Sequence, residues 1–386
     1  MRQQNNKRSA MRGQFRLQNS YLSRIHSIFV LILGLSLVGV VGAQNVPAAP
    51  AGKPEQVSVA PDAPPTPRGN ISSDSMKGNI LESFATPSLE GSELNAMGEI
   101  PGDVDTIDGV YTHEVTRVQW RAGDPIDLYI IKPVGVKNPP VILYLYSFPF
   151  ENDRFLDHNF CKFLVKNGYA AVGFASALTG HRYHNRAMKE WFVSELRESM
   201  ATSAHDVQLI LNYLGTRDDL DMTRVGMFGD GSGASIAILA AAVDPRIKTL
   251  DLLDPWGDWP DWIKESQRIP QKERSDYLKP EWLAGVAPLD PVKWLPQLRG
   301  RTIRMQFIKE LTVTPADVQQ KIEAAAPVSA QIVHYDNAAA FRTSIAGGTG
   351  FDWIKQNLQF SVVPVYGAAG QTRDKRPSEG QSDSRQ

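Results

Sequence analysis

The stretch FGDGSGAS, residues 228–235, holds the residues of this sequence most suggestive of chemistry. A nucleophilic serine is often held in the pattern G-x-S-x-G, at the tight turn where a strand runs into a helix. Gly229 and Gly233 supply the two outer glycines, but Gly231 stands in the middle and Ser232 comes one place later. Glycine adopts the unfavourable backbone angles of such a turn at little cost, yet it has no side chain with which to attack. The pattern therefore predicts the turn of a nucleophile without the nucleophile.

Ser232 is a poor replacement for that missing group. One residue along a helix is a rotation of about 100°, which aims its hydroxyl away from the usual cleft. A pattern centred on Ser232 would also put Asp230, which is bulky for that role, and Ala234 on its flanks. We interpret Ser232 as a cap of the following helix or as a residue at the edge of a pocket.

Histidine and cysteine offer little further chemistry. His181 and His184 in GHRYHN have a spacing that one helical face could use for a metal, but no third ligand is evident and Gly180 favours a loop. We predict no metal site and no cofactor. Cys161, the single cysteine, excludes an internal disulfide and fits an apolar helix position better than a nucleophile.

The most distinctive positive feature is LDPWGDWPDWIKES, residues 253–266. It interleaves aromatic and acidic residues, namely Trp256, Trp259 and Trp262 with Asp254, Asp258 and Asp261. The tryptophans could stack on sugar rings while the acids accept hydrogen bonds from hydroxyls. We favour the alternative, in which the tryptophans wedge a cap onto the sheet and Asp258 or Asp261 caps a helix.

Short apolar runs alternate along the chain with longer helical patterns, and several of the runs are apolar on both faces. Such strands are typical of a mostly parallel, doubly wound α/β sheet with helices on both faces. We predict strands over 126–133, 141–147, 170–176, 224–230, 247–255, 302–309 and 330–336, and helices over about 152–167, 189–216, 232–243 and 315–325.

The order of these elements resembles the α/β-hydrolase superfamily, especially its exported dienelactone-hydrolase, acetyl-xylan-esterase and prolyl-oligopeptidase-like members. The resemblance covers about residues 108–358. It is strongest from Ala201 to Lys248, where an amphipathic helix, an Asp-rich turn, a short strand, the glycine-rich turn and an alanine-rich helix follow in the same order. It implies an α/β-hydrolase fold with a small cap at about 255–300.

In that superfamily the serine works with an acid and a histidine. The resemblance places the acid of IKELTVTP at Leu311, with Glu310 out of register, and the histidine of YDNAAAFRTSIAGG at Ala340. The resemblance also offers Asp254 and Asp258 as alternative positions for the acid, as in relatives that carry it after this strand, but they would have no base to orient. His334 lies earlier, inside a strand, and is interpreted as a structural residue. With Gly231 in the serine position, all three catalytic positions are occupied by residues that cannot do this chemistry, and we predict no catalytic residue.

The loop whose backbone N–H would stabilise an oxyanion also differs in sequence from that of the family. Where the family carries a His-Gly pair, LYLYSFPF has Tyr146 and Ser147. The candidate residues for lining a pocket are Tyr146, Ser147, Asp230, Gly231, Ser232, Trp256, Asp258 and Trp259.

The ends of the chain differ in composition from its middle. Residues 1–43 begin with a basic stretch and end with the apolar run IFVLILGLSLVGVVGA, which predicts a signal peptide cleaved after Ala43. An uncleaved membrane anchor is the alternative, but the run is short against the about 20 residues of a spanning helix. We predict a Pro/Ala-rich flexible linker over 44–74, a globular domain over 75–365 and a disordered polar tail over 366–386.

Composition and charge limit the function. A chain of 386 residues with 42% hydrophobic residues can bury a substantial core, and its net charge of −1 would become more negative without the basic leader, which argues against nucleic acid. We predict an exported, periplasmic or secreted pseudo-hydrolase, a binding or interaction module at the cell envelope. Its partner is a small molecule, a carbohydrate or an envelope protein, and it meets the membrane only through an uncleaved leader.

Two alternatives remain: an active esterase-like or peptidase-like hydrolase with relocated catalytic groups, and a structural subunit of an envelope complex. A polar, open cleft over Gly231 would favour ligand binding. A cleft plugged by Tyr146, Phe148 or the cap tryptophans would favour a structural role.

Overall fold

The computed structural model of the protein describes residues 82–94, 97–146, 153–179, 182, 192–311, 313–347 and 351–359. A single ten-stranded sheet lies at the centre of this part of the chain. Its strands are β1 (Gly98–Ile100), β2 (Val104–Ile107), β3 (Tyr111–Arg121), β4 (Asp124–Pro133), β5 (Pro140–Leu145), β6 (Ala170–Gly173), β7 (Asp221–Asp230), β8 (Ile247–Leu253), β9 (Thr302–Ile308) and β10 (Gln331–Tyr335).

The sheet is parallel over most of its width. The strand order is β1-β3-β4-β6-β5-β7-β8-β9-β10, and β2 pairs with β3 outside this path. The six strands from β6 to β10 in that order pair in parallel, whereas β1 to β4 pair antiparallel and join the rest through the antiparallel pair of β4 with β6. The carboxyl ends of the parallel strands therefore meet at one edge, where open α/β sheets place their ligand sites.

Helices cover both faces of the sheet. They are α1 (His158–Val165), α2 (Leu196–Leu214), α3 (Ser232–Val243), α4 (Trp259–Glu265), α5 (Arg274–Tyr277), α6 (Pro280–Val286), α7 (Pro291–Trp294), α8 (Ala316–Ala325), α9 (Ala338–Ala346) and α10 (Asp352–Gln359). Along β5, Leu143 and Leu145 join a buried cluster with α2, α3 and α8, while Ile142 and Tyr144 join a second cluster with α1, α9 and α10. This alternation of side chains is what a strand between two helical layers requires.

The predicted fold class is confirmed: the sheet is mostly parallel with helices on both faces. All seven predicted strands are present with shifted ends, and α3 spans the predicted 232–243. Strands β1 to β3 were not predicted. The stretch after β10, where the resemblance places the superfamily's histidine at Ala340, forms α9 and, further on, α10, and neither helix was predicted.

The predicted cap region, 255–300, consists of short helices, α4 to α7, between β8 and β9. The predicted leader, residues 1–43, the linker, 44–74, and the tail, 366–386, lie outside the described residues. Among the helices that the structure describes, none is both long enough and apolar enough to span a membrane.

Residues 82–94 form a strap that is held against α2. The carboxylate of Glu82 lies 2.7 Å from His205 Nδ1 and accepts hydrogen bonds from Arg121 at 2.6 Å. Gln208 donates to Pro87 O at 2.7 Å and accepts from Leu89 N at 3.2 Å. Burial alone would raise the pKa of Glu82, but hydrogen bonds and charges from His205 and Arg121 outweigh it and lower this pKa to about 2. The strap is therefore joined to the domain by a charged network as well as by apolar packing.

Candidate functional site

The turn between β7 and α3 has the backbone geometry of a strained strand-to-helix junction. Gly231 has φ 56° and ψ −115°, in the half of conformational space that residues with a side chain rarely adopt. Its N–H donates to Leu253 O at 2.8 Å, which fixes the turn to the end of β8. Gly231 is buried. A nucleophile in this fold is held at such a turn, so Gly231 lies at the position that the sequence pattern assigned to it.

The two flanking glycines are required by close packing of the helix on the strands. A Cβ atom on Gly229 would lie 2.5 Å from Ala234 Cα, and a Cβ atom on Gly233 would overlap the carbonyl group of Leu145. Neither contact leaves room for a side chain. Close packing therefore identifies Gly229 and Gly233 as the outer glycines of the pattern, so the pattern is centred on residue 231 and not on Ser232.

Ser232 is the first residue of α3, and its side chain is fully buried. The prediction that Ser232 is the cap of this helix is wrong, because the N-cap residue is Gly231, which makes no side-chain capping bond. Instead Ser235, one turn later, joins helix and cap, because its hydroxyl accepts a hydrogen bond from Trp256 N and donates to Trp256 O, both at 2.8 Å. A substrate would have to displace neighbouring groups before it reached the Ser232 hydroxyl.

The predicted acid position carries an apolar side chain. Leu311 is partly buried and packs against the cluster formed by α1, α9 and α10. The carboxylate of its neighbour Glu310 accepts a hydrogen bond from Ala338 N at 3.1 Å, at the start of α9. The side chain of Glu310 is therefore used to bind the N-terminus of α9.

The predicted base position is exposed on a helix. Ala340 lies in the first turn of α9, where its N–H donates to the capping side chain of Asn337 at 2.8 Å. His334, on β10, stacks on Phe307 with ring centroids 5.5 Å apart and lies 3.2 Å from Glu323 Oε1. These contacts fit the interpretation of His334 as a structural residue.

The other described histidines are engaged in contacts within the fold. His113 Nε2 lies 2.9 Å from Phe155 O, and His158 Nδ1 lies 2.9 Å from the hydroxyl of Tyr111. His205 holds the strap. The predicted pair His181 and His184 lies outside the described residues.

The described residues contain no cluster of three or more His, Cys, Asp or Glu side chains that could hold a metal. Cys161 is buried in α1, and its thiol donates to Phe155 O at 3.2 Å. Burial raises the pKa of this thiol to about 11, so it is not a thiolate at neutral pH.

The two alternative acids are committed to other contacts. Asp254 is buried at φ 43°, and its carboxylate accepts a hydrogen bond from Ile308 N at 3.1 Å. Burial raises the pKa of Asp254 well above its ordinary value. Asp258 forms an ion pair with Lys321, which also contacts Asp261.

The cap tryptophans are packed inside the protein. Trp256, Trp259 and Trp262 are essentially unexposed, and Trp256 stacks on Trp262 with centroids 4.7 Å apart and an interplanar angle of 25°. Trp259 meets Trp262 edge to face at 5.9 Å. In this arrangement the rings fill the space between cap and sheet and present no open face to a sugar.

The carboxylate of Asp290 accepts hydrogen bonds at the N-termini of two short helices of the cap region. Asp258 is the N-cap residue of α4, as one of the two predicted alternatives has it, but its side chain makes no capping hydrogen bond. The carboxylate of Asp290 accepts from Asp258 N at 2.9 Å and Trp259 N at 3.2 Å, and also from Val292 N at 3.1 Å at the start of α7.

Tyr146 and Asp230 lie near the turn, at the ends of β5 and β7. Tyr146 is buried in an aromatic cluster with Phe155, Phe160 and Phe228, with ring centroids 5.7 to 6.3 Å away. Asp230 is half-buried. Ser147 and Phe148, which follow Tyr146, lie outside the described residues, so the predicted contribution of Ser147 to a pocket stays a prediction.

Comparison with known proteins agrees with this fold. No protein-family model matches the sequence, and no curated protein matches it. Among solved structures, acetyl xylan esterase 1 from a Thermoanaerobacterium species superposes with a TM-score of 0.52 at 14% identity, covering 66% of this chain and 86% of the esterase. An acetyl xylan esterase from a Paenibacillus species gives 0.52 at 12% identity, covering 63% and 83%.

A third match is an acylaminoacyl peptidase from Pyrococcus horikoshii, with a TM-score of 0.50 and 14% identity over 65% of this chain and 41% of the peptidase. At these identities the likeness concerns the fold alone. The protein has the α/β-hydrolase fold.

Proposed function

We propose that this protein is an exported α/β-hydrolase-fold protein that has lost serine-hydrolase activity and serves as a binding or interaction module at the cell envelope. The observation that carries the proposal is the residue in the strained turn: Gly231 has the backbone angles of a nucleophile's position and no side chain. Covalent acyl transfer needs an activated hydroxyl or thiol at that point.

The nearest hydroxyl does not supply the missing group. Ser232 has a fully buried side chain in the first turn of α3, and a serine is a weak nucleophile unless an adjacent base takes its proton. The positions expected for that base and its acid are Ala340 and Leu311. Neither side chain can take or hold a proton.

A binding role is consistent with what the sheet edge retains. Asp230, beside the turn, keeps a half-buried charged side chain at the edge where such folds bind ligands. The buried tryptophans and Tyr146, in contrast, give the surrounding cap a rigid, packed base. Export rests on the leader predicted over residues 1–43, and we expect the mature chain to begin at Gln44.

Activity-based labelling tests the loss of catalysis. The purified protein is incubated with a fluorophosphonate probe and with p-nitrophenyl acetate, with an active serine esterase as the positive control. We expect neither stoichiometric labelling nor turnover above that of the Ser232→Ala variant. Labelling at Ser232 that disappears in Ser232→Ala would favour the alternative of an active hydrolase with relocated groups.

Export is tested separately. The full chain is expressed in a Gram-negative bacterium, and the N-terminus of the protein in the periplasmic and membrane fractions is determined by mass spectrometry. A periplasmic chain that begins at Gln44 supports a cleaved signal peptide. An intact N-terminus in the membrane fraction would instead indicate an anchor.

A further inference from the structure

Both ring nitrogens of His205 face acceptors on the strap, residues 82–94. Nδ1 lies 2.7 Å from Glu82 Oε1, and Nε2 lies 3.0 Å from the backbone oxygen of Thr86. The side chain of His205 is fully buried on α2, and that of Glu82 is only 7% exposed. The contact between the strap and α2 therefore depends on which protons the imidazole ring carries.

Neither acceptor can supply the hydrogen of its contact. The oxygen of Thr86 is a backbone carbonyl, which only accepts hydrogen bonds. Both carboxylate oxygens of Glu82 accept from the guanidinium of Arg121 at 2.6 Å, and the lowered pKa of Glu82, about 2, keeps this carboxyl ionised at neutral pH. A neutral imidazole has one N–H, whereas the two contacts of His205 need one on each nitrogen. The geometry therefore requires a doubly protonated, positively charged ring.

The charges of the described network around His205 balance when this ring is charged. Asp206, the next residue on α2, is fully buried and accepts hydrogen bonds from Arg121 and Arg182. Arg182 also forms an ion pair with Asp124 at 2.7 Å. The two aspartates and the glutamate of the strap thus face two arginines. One imidazolium makes the sum zero, and buried charges are normally compensated in this way.

We infer that the strap docks on α2 with the doubly protonated form of His205, so that a rise in pH releases it. When the ring loses one proton to solvent, the bare nitrogen faces an oxygen that cannot donate to it. An ordinary histidine loses this proton at about pH 6.5. Above that pH, docking has to take up a proton, so the docking equilibrium falls by up to about tenfold per pH unit.

Release of the strap would uncover apolar surface of the domain. Phe84 and Leu89 pack against the buried cluster that includes α2 and α3, and Leu94 belongs to that cluster. The strap pairs with none of the described strands, and Gln208 holds it through a side chain. Such a segment can leave the domain without breaking the sheet. The inference goes beyond the proposed function and does not depend on it.

Hydrogen exchange measures the docking of the strap. The amide of Leu89 donates to Gln208 Oε1 at 3.2 Å and should exchange only when the strap leaves α2. Its protection factor removes the direct effect of pH on exchange and reports the docking equilibrium. We expect this factor to fall about tenfold or more between about pH 6 and about pH 8.5, while amides inside α2 keep theirs. Glu82 stays ionised over this interval, so its titration does not contribute.

The protonation of His205 is measured on the same wild-type protein. In a sample labelled with ¹⁵N-histidine, long-range ¹H–¹⁵N spectra distinguish a ring with two N–H groups, whose nitrogens have similar shifts, from a neutral ring, whose nitrogens differ widely. The signals are assigned through their connection to the backbone of residue 205. We expect the doubly protonated ring at every pH at which the Leu89 amide is protected.

Two variants assign the pH dependence to this histidine. His205→Gln has no ionisable ring, so the protection factor of the Leu89 amide should be about tenfold or more below that of the wild type at about pH 6, and should not change further at about pH 8.5. His334→Gln is the matched control, because it removes a histidine of β10 that contacts Glu323 outside the network. It should keep the protection and the pH dependence of the wild type.

The inference is wrong if the protection factor of the Leu89 amide stays constant in the wild type over this interval, or falls as much in His205→Gln as in the wild type. It is also wrong if the ring of His205 is neutral while the strap is docked. That last measurement needs no variant, so it decides the question even if His205→Gln does not fold.

Discussion

The carbonyl oxygen of Leu145 occupies the space that a Cβ atom on Gly233 would need. Leu145 ends β5 and is paired with Gly229 of β7, so the strand and the first turn of α3 meet backbone to backbone beside Gly231. This contact explains why both outer glycines of the turn are present although Gly231, between them, has no nucleophilic side chain. In this chain they are needed for packing, whatever the chemistry.

A methyl group at position 233 should therefore destabilise the fold. In Gly233→Ala the new Cβ meets backbone atoms, which cannot move aside as a flexible side chain would, so we expect a loss of roughly 1–3 kcal/mol or more in the free energy of unfolding. The matched control is Gly285→Ala in α6, where the nearest atom to a new Cβ is Arg197 Cδ at 3.9 Å. That control should be neutral or slightly stabilising. Urea unfolding of both variants makes the comparison, and equal stability would show that the helix can retreat from β5.

Asp290 should contribute more to the cap than either acid of α4. Asp290→Ala removes the acceptor of three backbone N–H groups at the starts of α4 and α7, for which we expect a loss of roughly 1–2 kcal/mol or more. Asp258→Asn removes a partly exposed ion pair with Lys321 and keeps a residue that tolerates the left-handed backbone of this position, so it should change stability less than Asp290→Ala does. Thermal unfolding measures both, and a larger effect at Asp258 would contradict this assignment.

How far the sequence predicts the fold depends on the environment of each element. Strands β5 and β6 are buried along their whole length, so their continuous apolar runs are visible without knowledge of their neighbours. Strand β3, Tyr111–Arg121, has partly exposed positions between its buried ones, and polar residues such as His113 and Glu114 interrupt its pattern. It was missed for that reason. Helix α9 was also not predicted, although it has a local signal: the capping residue Asn337 is followed by three alanines.

The site could be predicted only where local spacing decides it. The turn at Gly231 follows from five consecutive residues, and its geometry agrees with the pattern. Asp290, in contrast, caps a helix that begins about thirty residues earlier in the chain, and Glu82 meets His205 across 123 positions. Such pairs depend on tertiary contacts that no local pattern contains.

The contact of Glu82 with His205 and Arg121 should make stability depend on pH. The pKa of Glu82 is about 2 in the folded protein, below the value of about 4.3 of an unfolded chain, so its contribution is fully present above the higher value and is lost as the pH falls towards 2. The difference corresponds to roughly 3 kcal/mol at neutral pH. We expect Glu82→Gln to be less stable than the wild type in urea unfolding at neutral pH, and the difference to shrink between about pH 5 and about pH 2.

Glu93→Gln is the control for that measurement, because Glu93 is an exposed residue of the same strap. It should match the wild type at every pH. A difference between Glu82→Gln and wild type that stays constant as the pH falls would mean that the carboxylate is not held by charge.

Replacing Gly231 by serine should restore the serine of the G-x-S-x-G pattern but should not restore ester hydrolysis. The backbone at this position has φ 56°, so a side chain there costs roughly 1–3 kcal/mol of stability, and the variant should fold. Its hydroxyl would still lack a base, because Ala340 cannot take a proton and Leu311 cannot orient a group that does. We therefore expect Gly231→Ser to hydrolyse p-nitrophenyl acetate no faster than the wild type.

The triple variant Gly231→Ser, Leu311→Asp, Ala340→His distinguishes two causes of inactivity: the absence of the three catalytic side chains, and positions that cannot bring such side chains together. Turnover by the triple variant alone would show that positions 311 and 340 lie within reach of residue 231. No turnover by a folded triple variant would show that positions 311 and 340 do not bring a base and its acid to residue 231, which fits the exposure of Ala340 in the first turn of α9. Rates typical of a complete triad from the single variant would contradict the assignment, since they would require a working base that the described residues do not provide.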